Sequence, residues 1–390
     1  MKIGIDIRAI ASQRTGDETY TLELVKNLAR IDRKNEYFLY TDTFSEEKLA
    51  KIKKLLSLDN ANFFIKSVGP TSKLFWTFYS LAKQARKDKL DILHVQYIAP
   101  IFLRKDIRII TTIHDISFER YPQFIAKKDL LALKLLIPPS LHRADKIIAV
   151  SKFTAQEIKN VYPRVAGKVE MIYNGGVSED FGVVTKKDVL NFRKKYGKLK
   201  PYLLYLGTLQ PRKNVPFLLR AFRELKKKHS QRDSLVKNCK LVIRGTRGGR
   251  NYDWRIDSIL EDIRKDNPNI YNDIKFLGYQ STKELAVLLR EAEVFCFPSL
   301  YEGFGLPVLE TMAVGTPVLA SDSSCLPEIV GDGGVLYRGD NQSDFVEKVR
   351  RLLLDRDLRS RVAEAGRLRV KDFSWEKTAR ETLELYNKLR

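Results

Sequence analysis

At 390 residues the chain is longer than one hydrophobic core commonly serves, so two domains are expected. Its 44% hydrophobic and 30% charged composition reads as a soluble globular protein, and no apolar run approaches the roughly 20 residues that span a bilayer. Seventy Lys and Arg against 48 Asp and Glu give a net charge of +22, which favours an anionic partner (nucleotide phosphates, nucleic acid or an acidic membrane surface) without choosing among them; a solvated basic surface gives the same balance.

The opening "MKIGIDIRAI" alternates like a strand and lacks the apolar core of a signal peptide. "RTGDETYT" follows, with Gly16 at a turn into the helical "TYTLELVKNLARI". Short β-rich runs then alternate with helical segments: "YFLYT", "NFFIKSV", "DILHVQ", "RIITTIHD", "KIIAVS" and "VEMIYN". That alternation predicts a parallel sheet covered on both faces. "KLFWTFYSLAKQARK" sets Phe75, Trp76, Phe78 and Tyr79 beside lysines, a mix that can lie on anionic lipid; an ordinary helix turning its aromatics inward is the simpler reading. His114 and Asp115 stand at a strand end in "IITTIHD", where His114 can bond a sugar hydroxyl or a phosphate oxygen. His94 in "ILHVQY" reads as a packed strand residue, and His142 and His229 as peripheral.

A polar, Gly-rich stretch begins near Gly175, and the rhythm restarts with "YLLYLGTL", "KLVIRG", "IKFLGY", "VFCFPS", "PVLAS" and "GGVLY". The expected division is residues 1–180 and 181–374, each doubly wound, with the capped amphipathic helix 375–390 able to pack back on the first domain. Ligands of such folds bind outside the carboxyl ends of the strands, here in an expected cleft. Cys239, Cys296 and Cys325 are far apart with no CxxC, which argues against zinc and disulfides and suits a reducing cytosol.

Three loops of the second half carry candidate chemistry. In "YLGTLQPRKNVPF" a strand ends at Gly207, Arg212 and Lys213 sit in the loop, and Asn214 is placed to cap the next helix. Two cations there form an anion site suited to charge building on a departing diphosphate. "IRGTRGGRN" offers Gly245 amid arginines, although neither glycine loop follows G-x-G-x-x-G. In "SLYEGFGLPVLE", Glu302 follows a strand, Gly303 and Gly305 allow close backbone approach, and Pro307 opens a helix whose first turn is expected to end at Glu310. Glu310 can hold ribose hydroxyls and Glu302 those of a second sugar; helix-dipole complementation and solvation are the plainer alternatives.

"EGFGLPVLE", "GTLQPRKN", "TTIHD", "YNGGV" and "GTPVLASD" together resemble the retaining glycosyltransferases of family 4, over nearly the whole chain. The resemblance implies the GT-B fold, an α/β architecture of two Rossmann-like domains facing across a cleft. It implies transfer of a hexose from a nucleotide diphosphate sugar by a front-face mechanism with no essential metal and no cofactor. By the same resemblance Arg212 and Lys213 neutralise the diphosphate, Glu310 holds the ribose, and Glu302 and His114 meet the transferred sugar. Gly16, Gly207, Gly245 and the segment Gly303, Phe304, Gly305, Leu306 complete the nucleotide-sugar seat. Where the family commonly has a second glycine in its first loop, this chain has Glu18, a carboxylate that must turn away from a diphosphate or bind the acceptor.

GDP-mannose is the favoured donor because "GTLQPRKN" resembles mannosyltransferase relatives, with UDP-sugars close behind; the acceptor is a glycan or lipid-linked saccharide. The expected location is cytoplasmic, with peripheral contact on the inner face of an anionic membrane. The alternatives are a soluble disaccharide synthase using UDP-glucose, a scaffold without activity, and a non-enzymatic basic nucleic-acid-binding protein. No recognition-helix, zinc or RNP-like motif supports the last, and no nucleic acid partner is expected.

Overall fold

The structure is a computed structural model that describes residues 1–11, 16–58, 60–69, 75–178, 181, 184–197, 199–249, 251–278 and 280–390. The chain forms two compact units. The first comprises Met1–Arg120, Lys127–Gly175 and Phe373–Arg390; the second comprises Tyr121–Ala126 and Gly176–Asp372.

In the first unit seven parallel strands lie in the order β3-β2-β1-β4-β5-β6-β7. They are β1 (Lys2–Asp6), β2 (Glu36–Thr41), β3 (Phe63–Ser67), β4 (Ile92–Gln96), β5 (Arg108–Ile113), β6 (Lys146–Ala149) and β7 (Val169–Met171). Ile3 pairs with Tyr37 on one side and Ile92 on the other, so the strand order reverses between β1 and β4. Helix α1 (Gly16–Ile31) joins β1 to β2. Helices α2 (Leu81–Lys87) and α3 (Lys127–Arg143) lie in the β3–β4 and β5–β6 connections. Those two connections step across the sheet in one direction and β1–β2 in the other. Right-handed crossovers therefore put α2 and α3 on one face and α1 on the opposite face.

The second unit has six parallel strands in the order β10-β9-β8-β11-β12-β13. They are β8 (Tyr202–Leu206), β9 (Lys240–Arg244), β10 (Ile274–Leu277), β11 (Val294–Phe297), β12 (Val318–Ser321) and β13 (Val335–Tyr337). Helix α4 (Val215–His229) turns Val215, Phe217, Leu218 and Phe222 into the core against Leu203, Tyr205 and Leu241. Helix α5 (Leu306–Ala313) follows β11. All thirteen apolar runs of the sequence form the strands expected of them; the inner strands are buried, as a sheet covered on both faces requires, while the outermost β3, β7, β10 and β13 are only partly so.

The last helix, α6 (Trp375–Lys388), belongs to the first unit and packs on α1. Ser374 caps it, accepting the Lys377 amide. Thr378 Oγ1 donates to the Tyr173 carbonyl at 2.7 Å, and the Trp375 indole lies over Gly175, where any side chain would collide with it. All three cysteines are buried and unbridged, and burial pushes the Cys239 thiol up to about 12. Among the described residues no helix is long and apolar enough to cross a membrane.

Candidate active site

β8 and β11 are neighbours at the point where the second sheet reverses its order, so the loops leaving their carboxyl ends meet. After β8, residues Pro211–Lys213 form one 3₁₀ turn. After β11, the loop is tied to that turn by the Leu300 amide, which donates to the Arg212 carbonyl at 2.8 Å. Glu302 is thereby brought between the two cations. Arg212 Nη1 donates to Glu302 Oε2 at 3.1 Å and to the Tyr301 carbonyl at 3.0 Å, and Lys213 Nζ bonds Glu302 Oε1. The Lys213 ammonium also lies over the Phe297 ring, 5.6 Å from its centre.

The Glu302 side chain is only 8% exposed, and Lys213 only 12%. Burial pushes the Glu302 carboxyl up, but Lys213 and Arg212 outweigh it and hold the group below its usual range. The carboxylate is thus shared between two cations, of which Arg212 is the more exposed at 23%. The two cations, expected as a bare anion site, are thus pre-paired by the glutamate expected to hold sugar hydroxyls. The Glu302 amide donates to Ser324 Oγ at 3.0 Å, from the loop after β12.

Gly303, Phe304 and Gly305 are buried, and Gly305 adopts φ +101° as the residue that opens α5, a value that favours glycine. Cys325 Sγ donates to the Phe304 carbonyl at 3.1 Å, pinning the turn. Leu306 is the first residue of α5 and Pro307 the second. Glu310, half-buried, is therefore the fifth residue and opens the second turn rather than ending the first, because 3.6 residues complete a turn. Asn214 also departs from expectation. It is left-handed at φ 56°, and its side chain makes no cap bond to α4; backbone bonds from its amide to Pro211 and from Phe217 to its carbonyl close the turn instead. At the end of β9, Gly245 packs against the end of β8: a Cβ there would sit 2.6 Å from the Gly207 carbonyl oxygen. In the same loop Arg247 pairs with Asp257, Arg244 bonds Gln280, and Arg250 lies outside the described residues.

A second cluster lies in the first unit, where β4 and β5 end beside α1. His114 follows β5, with the Tyr20 ring near-perpendicular to its own, centres 4.9 Å apart, and the Tyr97 ring centre at 5.7 Å. Its Nε2 bonds Gln96 Oε1 at 2.8 Å, at the end of β4. Behind it His94 bonds Thr112 at 2.8 Å and the Tyr386 hydroxyl of α6 at 2.6 Å. Burial, reinforced by His114, depresses the His94 pKa to about 3, so the packed strand histidine is neutral. Gly16 is exposed and begins α1. The carboxylate of Glu18 turns back to accept the Ala11 amide at 2.7 Å, an anchor within its own loop. The intervening residues 12–15 lie outside the described residues.

The sequence profile described as "Glycosyltransferase Family 4" matches residues 14–176, and that described as "Glycosyl transferases group 1" matches residues 188–369. The O-antigen chain mannosyltransferase B of Escherichia coli is 31% identical over 283 residues, 72% of this chain and 71% of that protein. The chain belongs to glycosyltransferase family 4. The fold of this transferase is that of GT-B enzymes. Sucrose-phosphate synthase from Thermosynechococcus elongatus superposes with a TM-score of 0.75 at 21% identity, covering 100% of this chain and 98% of that one. Anabaena HepE in complex with UDP and glucose gives 0.73 at 15% identity, over the whole of both chains. The motifs of the transferase single out Arg212, Lys213 and Glu302 as candidates but do not show that they form one ion-paired group. They also miss Ser324, Cys325 and Gln96, whose partners are 18 to 22 residues away and share no motif with them.

Proposed function

We propose that the chain transfers a hexose, with mannose favoured, from a nucleotide diphosphate sugar to a glycan or lipid-linked saccharide with retention of the anomeric configuration. The observation that carries this reading is the Arg212–Glu302–Lys213 group, with its carboxylate buried between two partly exposed cations. In the transfer, the bond between the sugar's C1 and the phosphate oxygen breaks and its electron pair leaves with the nucleoside diphosphate. The acceptor hydroxyl oxygen bonds C1 on the same face, and its proton passes to the departing phosphate oxygen. Negative charge grows on that phosphate, and Arg212 and Lys213 stabilise it from fixed positions. Glu302 keeps the two cations in place and shares its remaining lone pairs with sugar hydroxyls. Glu310 holds the ribose, and the tight turn Gly303–Leu306 lets backbone approach the donor.

Side chains supply the neutralising charge in this scheme, so no essential metal is assigned. Mannose is favoured because the Escherichia coli relative is named a mannosyltransferase; GDP as the nucleotide follows from that choice. A donor screen by product release, with GDP- and UDP-sugars, tests the reading. Lys213→Ala and Glu310→Ala are each expected to lower turnover by about tenfold or more, and chelator is expected to leave the rate unchanged. Native rates in both variants would reject the site.

A peripheral membrane contact is favoured by a separate observation. Five of the exposed large apolar side chains of the first unit are 50% to 73% exposed: Phe75 and Tyr79 just before α2, Phe102 in the β4–β5 loop, and Leu131 and Leu135 in α3. The Phe75 and Tyr79 rings lie tilted against each other with centres 4.8 Å apart, while Trp76 is buried, its indole donating to the Val68 carbonyl at 2.9 Å. In the aromatic run Trp76 thus turns inward, while Phe75 and Tyr79 stay exposed. Arg86 of α2 bonds the Phe102 carbonyl, and the exposed Arg104 and Lys105 follow in the same loop. Apolar tips among cations suit the interface of an anionic bilayer.

A further inference from the structure

The bonds around His114 have only one consistent set of directions. Thr21 Oγ1 donates its single proton to the Asp17 carbonyl at 2.8 Å, one turn back in α1. Its oxygen is then left to accept, and it accepts from the Gln96 side-chain amide nitrogen. That choice fixes which end of the Gln96 amide faces α1, and so turns its carbonyl oxygen to His114 Nε2 at 2.8 Å. A carbonyl cannot donate, so the proton of the neutral ring is on Nε2. The Asp17 carboxylate, 3.8 Å from Nε2, is beyond hydrogen-bond reach and offers no competing direction. The other ring nitrogen, Nδ1, has no hydrogen-bond partner among the described residues and carries a lone pair. Tyr20 and Tyr97 hold the ring's plane on two sides.

We infer that Gln96 is a positioning residue that locks His114 in its Nε2–H form, so that His114 meets substrate as a hydrogen-bond acceptor. Nδ1 then binds a saccharide hydroxyl, which donates, and repels a phosphate oxygen, which cannot. This narrows the two ligands that a strand-end histidine allows to one. It rests on the proposed glycosyl transfer for its substrate class, but the tautomer itself does not.

Four histidines give few signals, so long-range ¹H–¹⁵N correlation of the ¹⁵N-labelled ligand-free protein reads the tautomer directly, with His114→Asn assigning the peaks. The expected result is Nε2–H in the native chain and loss of that preference in Gln96→Leu. Transfer by Gln96→Leu is expected to fall roughly tenfold, the worth of one oriented hydrogen bond. Unchanged signals from the other three histidines check that Gln96→Leu is folded. An Nδ1–H tautomer in the native protein overturns the inference. So does an Nε2–H tautomer indifferent to Gln96→Leu, or transfer unaffected by its loss. Absence of any transfer in the native protein, with the tautomer as expected, counts against the glycosyl-transfer reading and leaves the bond chain standing.

Discussion

Glu302 illustrates how one carboxylate can serve stability and charge placement together. Its folded-state pKa is depressed, because Lys213 and Arg212 outweigh the burial that raises it. A depressed carboxylate contributes stability that is present above its ordinary value of 4.5 and is lost as pH falls through the lower folded value. The native protein should therefore exceed Glu302→Gln in stability at neutral pH, by roughly 1 to 3 kcal/mol for a charged hydrogen-bonded group. That gap should close as the pH drops below 4.5. Denaturant melts across that range measure it, and a gap independent of pH would refute the ion-paired description. Coupling is a second consequence. Lys213→Ala and Glu302→Gln should cost less together than the sum of their separate costs, because each alone strands a buried partner.

Among the elements, the close approach of β8 and β9 at their carboxyl ends has the clearest consequence. Gly245→Ala forces a methyl against the Gly207 carbonyl and the Leu209 side chain, at 2.6 and 2.9 Å, so one strand end must shift. The expected cost is about 1 to 3 kcal/mol of stability, with weaker donor binding by calorimetry; native affinity would mean the loop plays no part in the donor seat. The strands are readable from the sequence because burial on both faces leaves unbroken apolar runs such as "VFCF" and "YLLYL". Turn chemistry was less readable. Asn214 has the composition of a cap, but its left-handed backbone carries its side chain out of reach of the α4 amides, and nothing in the local sequence distinguishes the two outcomes. Glu310 was displaced by part of a turn because helix starts are set by backbone geometry at Gly305, not by the proline that follows. Long-range pairings such as Gln96 with His114 depend on strand order, which a linear pattern does not encode.

Under the proposed membrane contact, the charge of +22 and the exposed apolar side chains near α2 and α3 would act together across the whole molecule. Cosedimentation with anionic vesicles is expected at low salt, weakening as salt screens the cationic term. Phe102→Ser combined with Leu131→Ser should cut vesicle binding several-fold, since each apolar tip withdrawn from the interface removes about 1.5 to 3 kcal/mol at most. Neutral vesicles serve as the control, and failure to cosediment at low salt removes the membrane reading.

The seating of α6 on α1 bears on how the chain matures. A growing polypeptide leaves the ribosome from its first residue onward. The segment Gly176–Asp372 is complete before the fourteen residues of α6 have been made. His94 and Tyr20, near the start of the chain, must wait for Tyr386 and Trp375 to acquire their last neighbours. The half synthesised first is thus the half finished last, and premature termination within α6 should yield nascent chains whose later unit is sound while the earlier one stays open to chaperones and proteases.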